Sequence, residues 1–138
     1  MRAALAVAML CAYAAFAQSP ETYKARLSRV PVEAKTQQDI TGLGSATATL
    51  MGSKLTITGS FDGLKTAALD AKIHLSPLTG VRGPAILDAT VDHKTSGQVS
   101  GTVELTPQQV EALHKGRLYI QIDSEKAPDG NLWGWLLR

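Results

Sequence analysis

From residue 22 onward the chain is built on alternation. Tyr23, Ala25 and Leu27 take turns with Lys24, Arg26 and Ser28, and Ala46, Ala48 and Leu50 with Ser45, Thr47 and Thr49. After Met51-Gly52-Ser53, a hairpin-turn sequence, Leu55 to Phe61 resumes the same period. Successive strand side chains point to opposite faces, so each segment reads as a strand with one face buried. Similar runs predict strands at 69–75, 85–91, 98–105, 117–124 and 132–137, punctuated by Gly and Pro. The last two are expected to meet at a tight turn, Pro128-Asp129-Gly130. Seven or eight short strands predict an all-β protein, an antiparallel sandwich or barrel with Greek-key connections.

One segment breaks the period. Thr106 is placed to cap a helix, Pro107 to take its first position, and Gln109 to complete a capping box. Leu105 and Val110 have the spacing of a hydrophobic staple. Val110 and Leu113 form the inward stripe, while His114 and Lys115 complement the negative end before Gly116 stops the helix. The helix is expected to bridge two strands and plug one end of the barrel. Pro31 to Ile40 is polar and reads as a loop. The expected core is Leu27, Leu50, Ile57, Phe61, Leu64, Ile73, Leu87, Val103, Leu113, Ile120, Ile122, Leu132 and Leu136.

Residues 1–17 read as an export signal. Arg2 precedes an apolar run, Ala3 to Phe16, and Ala15-Phe16-Ala17 gives a small-x-small cleavage pattern before Gln18. That run falls short of the roughly 20 residues a membrane-spanning helix needs. Leu10 stands where a lipoprotein signal wants a small residue before Cys11, so ordinary cleavage is the better reading. The mature chain, 18–138, then has no cysteine and is long enough for a single domain with one core. The chain has 14 Lys and Arg against 12 Asp and Glu, and loses Arg2 with the signal. These charges are scattered singly, which argues against nucleic-acid binding and against attachment to an anionic membrane. The expected product is exported, periplasmic or secreted, without membrane insertion.

Taken in order, several motifs together resemble the CHRD (chordin-type) domain family. They are Gly42 and the strand after it, Phe61-x-Gly63-Leu64, Ala71-Lys72-Ile73-His74, and Gly80-x-x-Gly83-Pro84. Leu105-Thr106 leading to Leu113-x-x-Gly116, and Tyr119 through Gly134, complete the set. The resemblance spans roughly Tyr23 to Leu136. It implies a Greek-key fold similar to copper–zinc superoxide dismutase. Many family members carry Ala-His-x-His where this chain has Ala71-Lys72-Ile73-His74, and His-Thr in place of Asp123-Ser124. Lys72 and His74 share one face of their strand, as do Gln121 and Asp123. An ammonium beside a divalent ion repels it, so the expectation here is a Lys72–Asp123 ion pair and no bound metal. The alternative is a degenerate copper or zinc site using His74 and Asp123. Relatives usually end in Glu-Ile-Arg-Gly-Gln; here the chain reads Asn131-Leu132-Trp133-Gly134-Trp135. With Leu132 and Leu136 inward, Trp133 and Trp135 face outward.

The remaining polar residues offer little chemistry. His93 sits in a turn and His114 in the last helical turn; Asp62, Asp70 and Asp88 read as acids near strand ends. There is no cysteine nucleophile in the mature chain, no Gly-rich phosphate loop and no cofactor signature, and fold likeness alone carries no chemistry. The reading is a non-catalytic binding or structural module. Its candidate ligand residues are Trp133, Trp135, Lys72, His74, Gln121 and Asp123, and its expected partner an extracytoplasmic protein or carbohydrate.

Overall fold

The computed structural model describes residues 19–138, so the signal segment and Cys11 lie outside the described residues. Eight strands follow in order: β1 (Glu21–Arg29), β2 (Leu43–Met51), β3 (Lys54–Asp62), β4 (Ala68–Leu75), β5 (Ala85–Val91), β6 (Gly97–Glu104), β7 (Leu118–Ser124) and β8 (Ala127–Trp135). All neighbours pair antiparallel, and the order β1-β2-β3-β6-β5-β4-β7-β8 closes into a barrel. Strands β4 to β7 lie in the order β7-β4-β5-β6, the Greek-key arrangement. Between β6 and β7 lies α1 (Pro107–His114), capped as the sequence foretells. The Thr106 hydroxyl accepts from the Gln109 amide, and the Gln109 side chain accepts from the Thr106 amide. The helix sends Ala112 and Leu113 into the core. Among the described residues no helix is long and apolar enough to cross a membrane.

Inward positions fill the barrel. Leu27, Ile57, Ile73, Ile120, Ile122, Leu132 and Leu136 are wholly buried, with Leu50, Phe61, Leu64 and Leu113 close behind. Leu87 and Val103, expected in the core, are only partly buried against it. The cause is local: β5 and β6 pair only at Thr90↔Ser100 and Val91↔Val99. Leu87 and Val103 lie beyond those pairs, where the two strands have parted. A second small cluster joins Val30, Ile40 and Ala127 under Trp133, and anchors the 31–40 loop.

The last hairpin does not turn where the sequence points. The chain reverses at Glu125-Lys126, with Ser124 opposite Ala127. Pairing resumes at Ile122↔Leu132, so Pro128 to Asn131 bulge out opposite Asp123. Pro128 has no amide to give a ladder, and Gly130 takes φ +135°, which side chains rarely adopt. A Cβ on Gly130 would press on the Gln121 amide and on Val30. Asn131 pins the bulge: its Oδ1 accepts from Ser124 Oγ at 2.8 Å, and its Nδ2 donates to the Thr41 carbonyl at 2.8 Å.

Candidate functional site

Alternation brings the polar members of β4, β7 and β8 to one outer face, and register sorts them into rows. His74, Tyr119 and Trp135 form the first row, and Lys72, Gln121 and Trp133 the second. Asp70 and Asp123 stand opposite each other in the third. The face continues onto β1, where Ser28 lies opposite Trp133.

Tyr119 is the centre. Its ring stacks on His74 with centroids 4.8 Å apart and lies against Trp135 at 4.7 Å. It meets Trp133 edge-on at 5.7 Å, and the two indoles touch at 4.6 Å, inclined by 70°. Each such aromatic pair contributes about 0.5–1.5 kcal/mol beyond the area it buries. The 76–84 loop folds back over this row. Gly83 donates its amide to the Tyr119 hydroxyl at 2.9 Å, and that hydroxyl donates to the Gly83 carbonyl at 3.0 Å. A Cβ on Gly83 would collide with the Leu75 carbonyl, so only glycine comes this close. His74 Nδ1 lies 2.8 Å from the same Gly83 carbonyl. A carbonyl only accepts, so Nδ1 carries the proton and Nε2 is left without a partner. Arg82, from the same loop, holds its guanidinium 5.3 Å above the Trp133 ring and donates to the Asp129 carbonyl.

The third row is a carboxyl pair. Asp123 is nearly buried, at 8% exposure. Burial first, and then the neighbouring Asp70 carboxyl, push it up to about 7, against the pull of the Gln121 amide and the Lys72 charge. Gln121 Nε2 donates to Asp123 Oδ1 at 2.8 Å and to the Asp129 carbonyl at 3.3 Å. The expected Lys72–Asp123 ion pair does not form: among the described residues Lys72 joins no carboxylate within 4.0 Å. Register explains it, because Lys72 stands opposite Gln121 on one side and Asp88 on the other. Asp70, read from sequence as an isolated acid, is the residue that meets Asp123 instead.

Among the described residues, four buried side-chain polar atoms have no hydrogen-bond partner: Asp70 Oδ1, His74 Nε2, Gln121 Oε1 and Trp135 Nε1. All four belong to this face. Buried polar atoms are usually paired, so their concentration here singles this face out as the candidate site.

Beyond the face lies a groove of about 580 Å³, walled by Trp133 and Trp135 on one side and by Lys24, Arg26 and Ser28 on the other. Both indoles are half-buried. A larger cleft, of about 760 Å³, lies elsewhere, around Glu21. The Glu21 Oε2 is engaged by Arg138 at 2.7 Å, Tyr23 at 2.8 Å and His114 at 2.8 Å. The remaining histidine, His93, bonds the Ala68 carbonyl. Both therefore have structural roles. Among the described residues no three His, Cys, Asp or Glu side chains converge as metal ligands.

A family model, the CHRD domain, matches residues 23–136. The chain belongs to the CHRD domain family. No curated protein and no solved structure gives a significant match. The likeness to superoxide dismutase therefore rests on the family resemblance alone. Membership supports a non-enzymatic binding or structural module. In this CHRD domain the two positions where relatives often have histidine, Lys72 and Asp123, fall in adjacent rows of the outer face. Six sequence candidates, Lys72, His74, Gln121, Asp123, Trp133 and Trp135, are thus brought onto a single surface. The sequence reading missed Tyr119 as its centre, Asp70 as the second carboxyl and Arg82 as the cover. The Tyr119-x-Gln121-x-Asp123 alternation already placed those three side chains on one face.

Proposed function

We propose that this CHRD domain is an exported, non-catalytic binding module, with Trp133 and Trp135 on the outer face of β8 as the main contacts for an extracytoplasmic protein or carbohydrate. The observation that carries this reading is the pair of half-buried indoles walling a 580 Å³ groove, within the size range of ligand sites. Membership in a family of non-enzymatic binding or structural modules supports it, as does the signal-like pattern at 1–17, an apolar run ending in a small-x-small motif. Mass spectrometry of the protein from the producing cell is expected to find a mature terminus at Gln18; a lipidated Cys11 would contradict it. Acrylamide is expected to quench the tryptophan emission, and a ligand to shield it. Emission that no quencher reaches would remove the reading.

A second reading is favoured by one detail. His74 has its Nδ1 fixed by a carbonyl and its Nε2 unpartnered, the orientation used by metal-bound histidines. With Asp123 it makes two donors, short of the usual three or four for zinc, and Lys72 adds repulsion. Titration with copper and zinc separates the two: tight stoichiometric binding lost in His74→Ala would favour the metal reading.

A further inference from the structure

We infer that the groove beside the two tryptophans is selective for an acidic carbohydrate, a run of sugars bearing carboxylate or sulfate groups, with Lys24 and Arg26 supplying the counter-charge. This deepens the binding reading above and rests on it.

Strand β1 sets two cations beside the tryptophans of β8. Ser28 pairs with Trp133, and Lys24 pairs with Leu137 just beyond β8. The antiparallel register between those two points sets Arg26 level with Trp135, with its side chain on the same outward face. Both cations are exposed, and among the described residues neither joins a carboxylate within 4.0 Å. Some basic groups are engaged, Arg138 by Glu21, Lys115 by Glu111 and Arg82 by the Asp129 carbonyl; what sets Lys24 and Arg26 apart from the other unpaired cations, such as Lys72, is their place on the groove wall. No acidic side chain lines the groove. An unpaired guanidinium and an unpaired ammonium facing an indole wall, with no anion among them, are complementary to a ligand that is both flat-faced and negative.

Shape favours a sugar chain over an acidic protein surface. The groove is a cleft of about 580 Å³, within the range of roughly 300–1,000 Å³ found for small-ligand sites. Ser28, Ser45 and Thr79 add hydroxyls along its walls, suited to exchange hydrogen bonds with sugar hydroxyls while the indoles take the apolar ring faces.

The test is calorimetric titration of the mature chain with four probes: a hexauronate, a sulfated hexasaccharide, a neutral hexaglucan and a hexaglutamate peptide. One of the two acidic saccharides is expected to bind at least about tenfold tighter than the neutral one. Raising NaCl from about 50 to about 300 mM is expected to weaken it. The Lys24→Gln/Arg26→Gln double variant, whose changes are on exposed side chains, is expected to lose about tenfold on the acidic saccharide and little on the neutral one. Circular dichroism checks that it folds. Equal binding of acidic and neutral saccharides would overturn the selectivity while leaving the binding reading intact. Preference for the peptide, or no saccharide binding at all, would overturn the inference; in the second case unchanged quenching in a wider ligand screen would sink the binding reading as well.

Discussion

On its inner side β7 places Leu118, Ile120 and Ile122, each wholly buried; on its outer side it places Tyr119, Gln121 and Asp123, which are almost as deeply covered. The inner residues are covered by the barrel itself, through apolar contacts that need no particular partner atom. The outer residues are covered by the 76–84 loop and the 128–131 bulge, and each polar atom there needs a specific partner. Several have none. The difference separates what the strand does for stability from what it presents at its surface: the same seven residues serve a core on one side and a covered polar face on the other.

That contrast can be broken first from the inside. Ile120→Ala is expected to cost about 2–5 kcal/mol in chemical denaturation, because a wholly buried side chain leaves a cavity. A cost under about 1 kcal/mol would mean the barrel can collapse around it. Tyr119→Phe, one position away, removes the hydroxyl that brackets Gly83 and is expected to cost about 1–3 kcal/mol. It should also red-shift the tryptophan emission as the 76–84 loop lifts, which Ile120→Ala should not do at equal destabilisation.

The carboxylates sharpen the comparison through pH. Asp123 is raised from 3.8 to about 7 by burial and by Asp70, so the folded chain holds its proton where the unfolded chain has lost it. The stability linked to that proton is complete below pH 3.8 and is lost as pH rises through about 7. Asp123→Asn keeps the shape without the charge and is expected to flatten that decline, a gain of about 1–2 kcal/mol at pH 8 in thermal melts. Glu21 runs the other way. Arg138, Tyr23 and His114 hold it down at about 2, so its contribution is present above 4.5 and lost as pH falls through about 2. Because that site is partly exposed, Glu21→Gln is expected to cost only on the order of 1 kcal/mol near neutrality. A Glu21→Gln melt unchanged across this range, or an Asp123→Asn melt that still falls toward pH 8, would show that these two carboxyls do not govern the pH response.

What was legible from sequence was what neighbours in the chain decide. Thr106, Pro107, Gln109 and Gly116 lie within eleven residues and specify the helix almost alone. The Leu-Trp-Gly-Trp-Leu run specifies which side of β8 faces out. What stayed hidden depends on partners far along the chain. Pro128-Asp129-Gly130 is a strong local turn signal, yet Asn131, tied to Thr41 and Ser124, draws those residues into a bulge instead. Asp70 and Asp123 become a pair only because β4 lies beside β7 in one register, and a shift of that register would pair Asp123 with a different row. Leu87 and Val103 fell outside the core because their two strands part, which alternation within either strand does not reveal.

The parting of β5 from β6 carries a consequence for how the molecule breathes. The seams β1–β8 and β5–β6 have the shortest ladders, two residue pairs each, extended at one end by the Lys24–Leu137 bridge and by the Asp92 amide on the Gln98 carbonyl, respectively; the other end of β5–β6, toward Leu87 and Val103, has no such tie. In native-state amide exchange, sub-global opening starts where the fewest bonds must break together. Deuterium is therefore expected to enter first along the Leu87 and Val103 edges and last along β7. The barrel thus has a slit opposite in character to its aromatic face: one edge that opens cheaply, and one strand whose two sides are both locked.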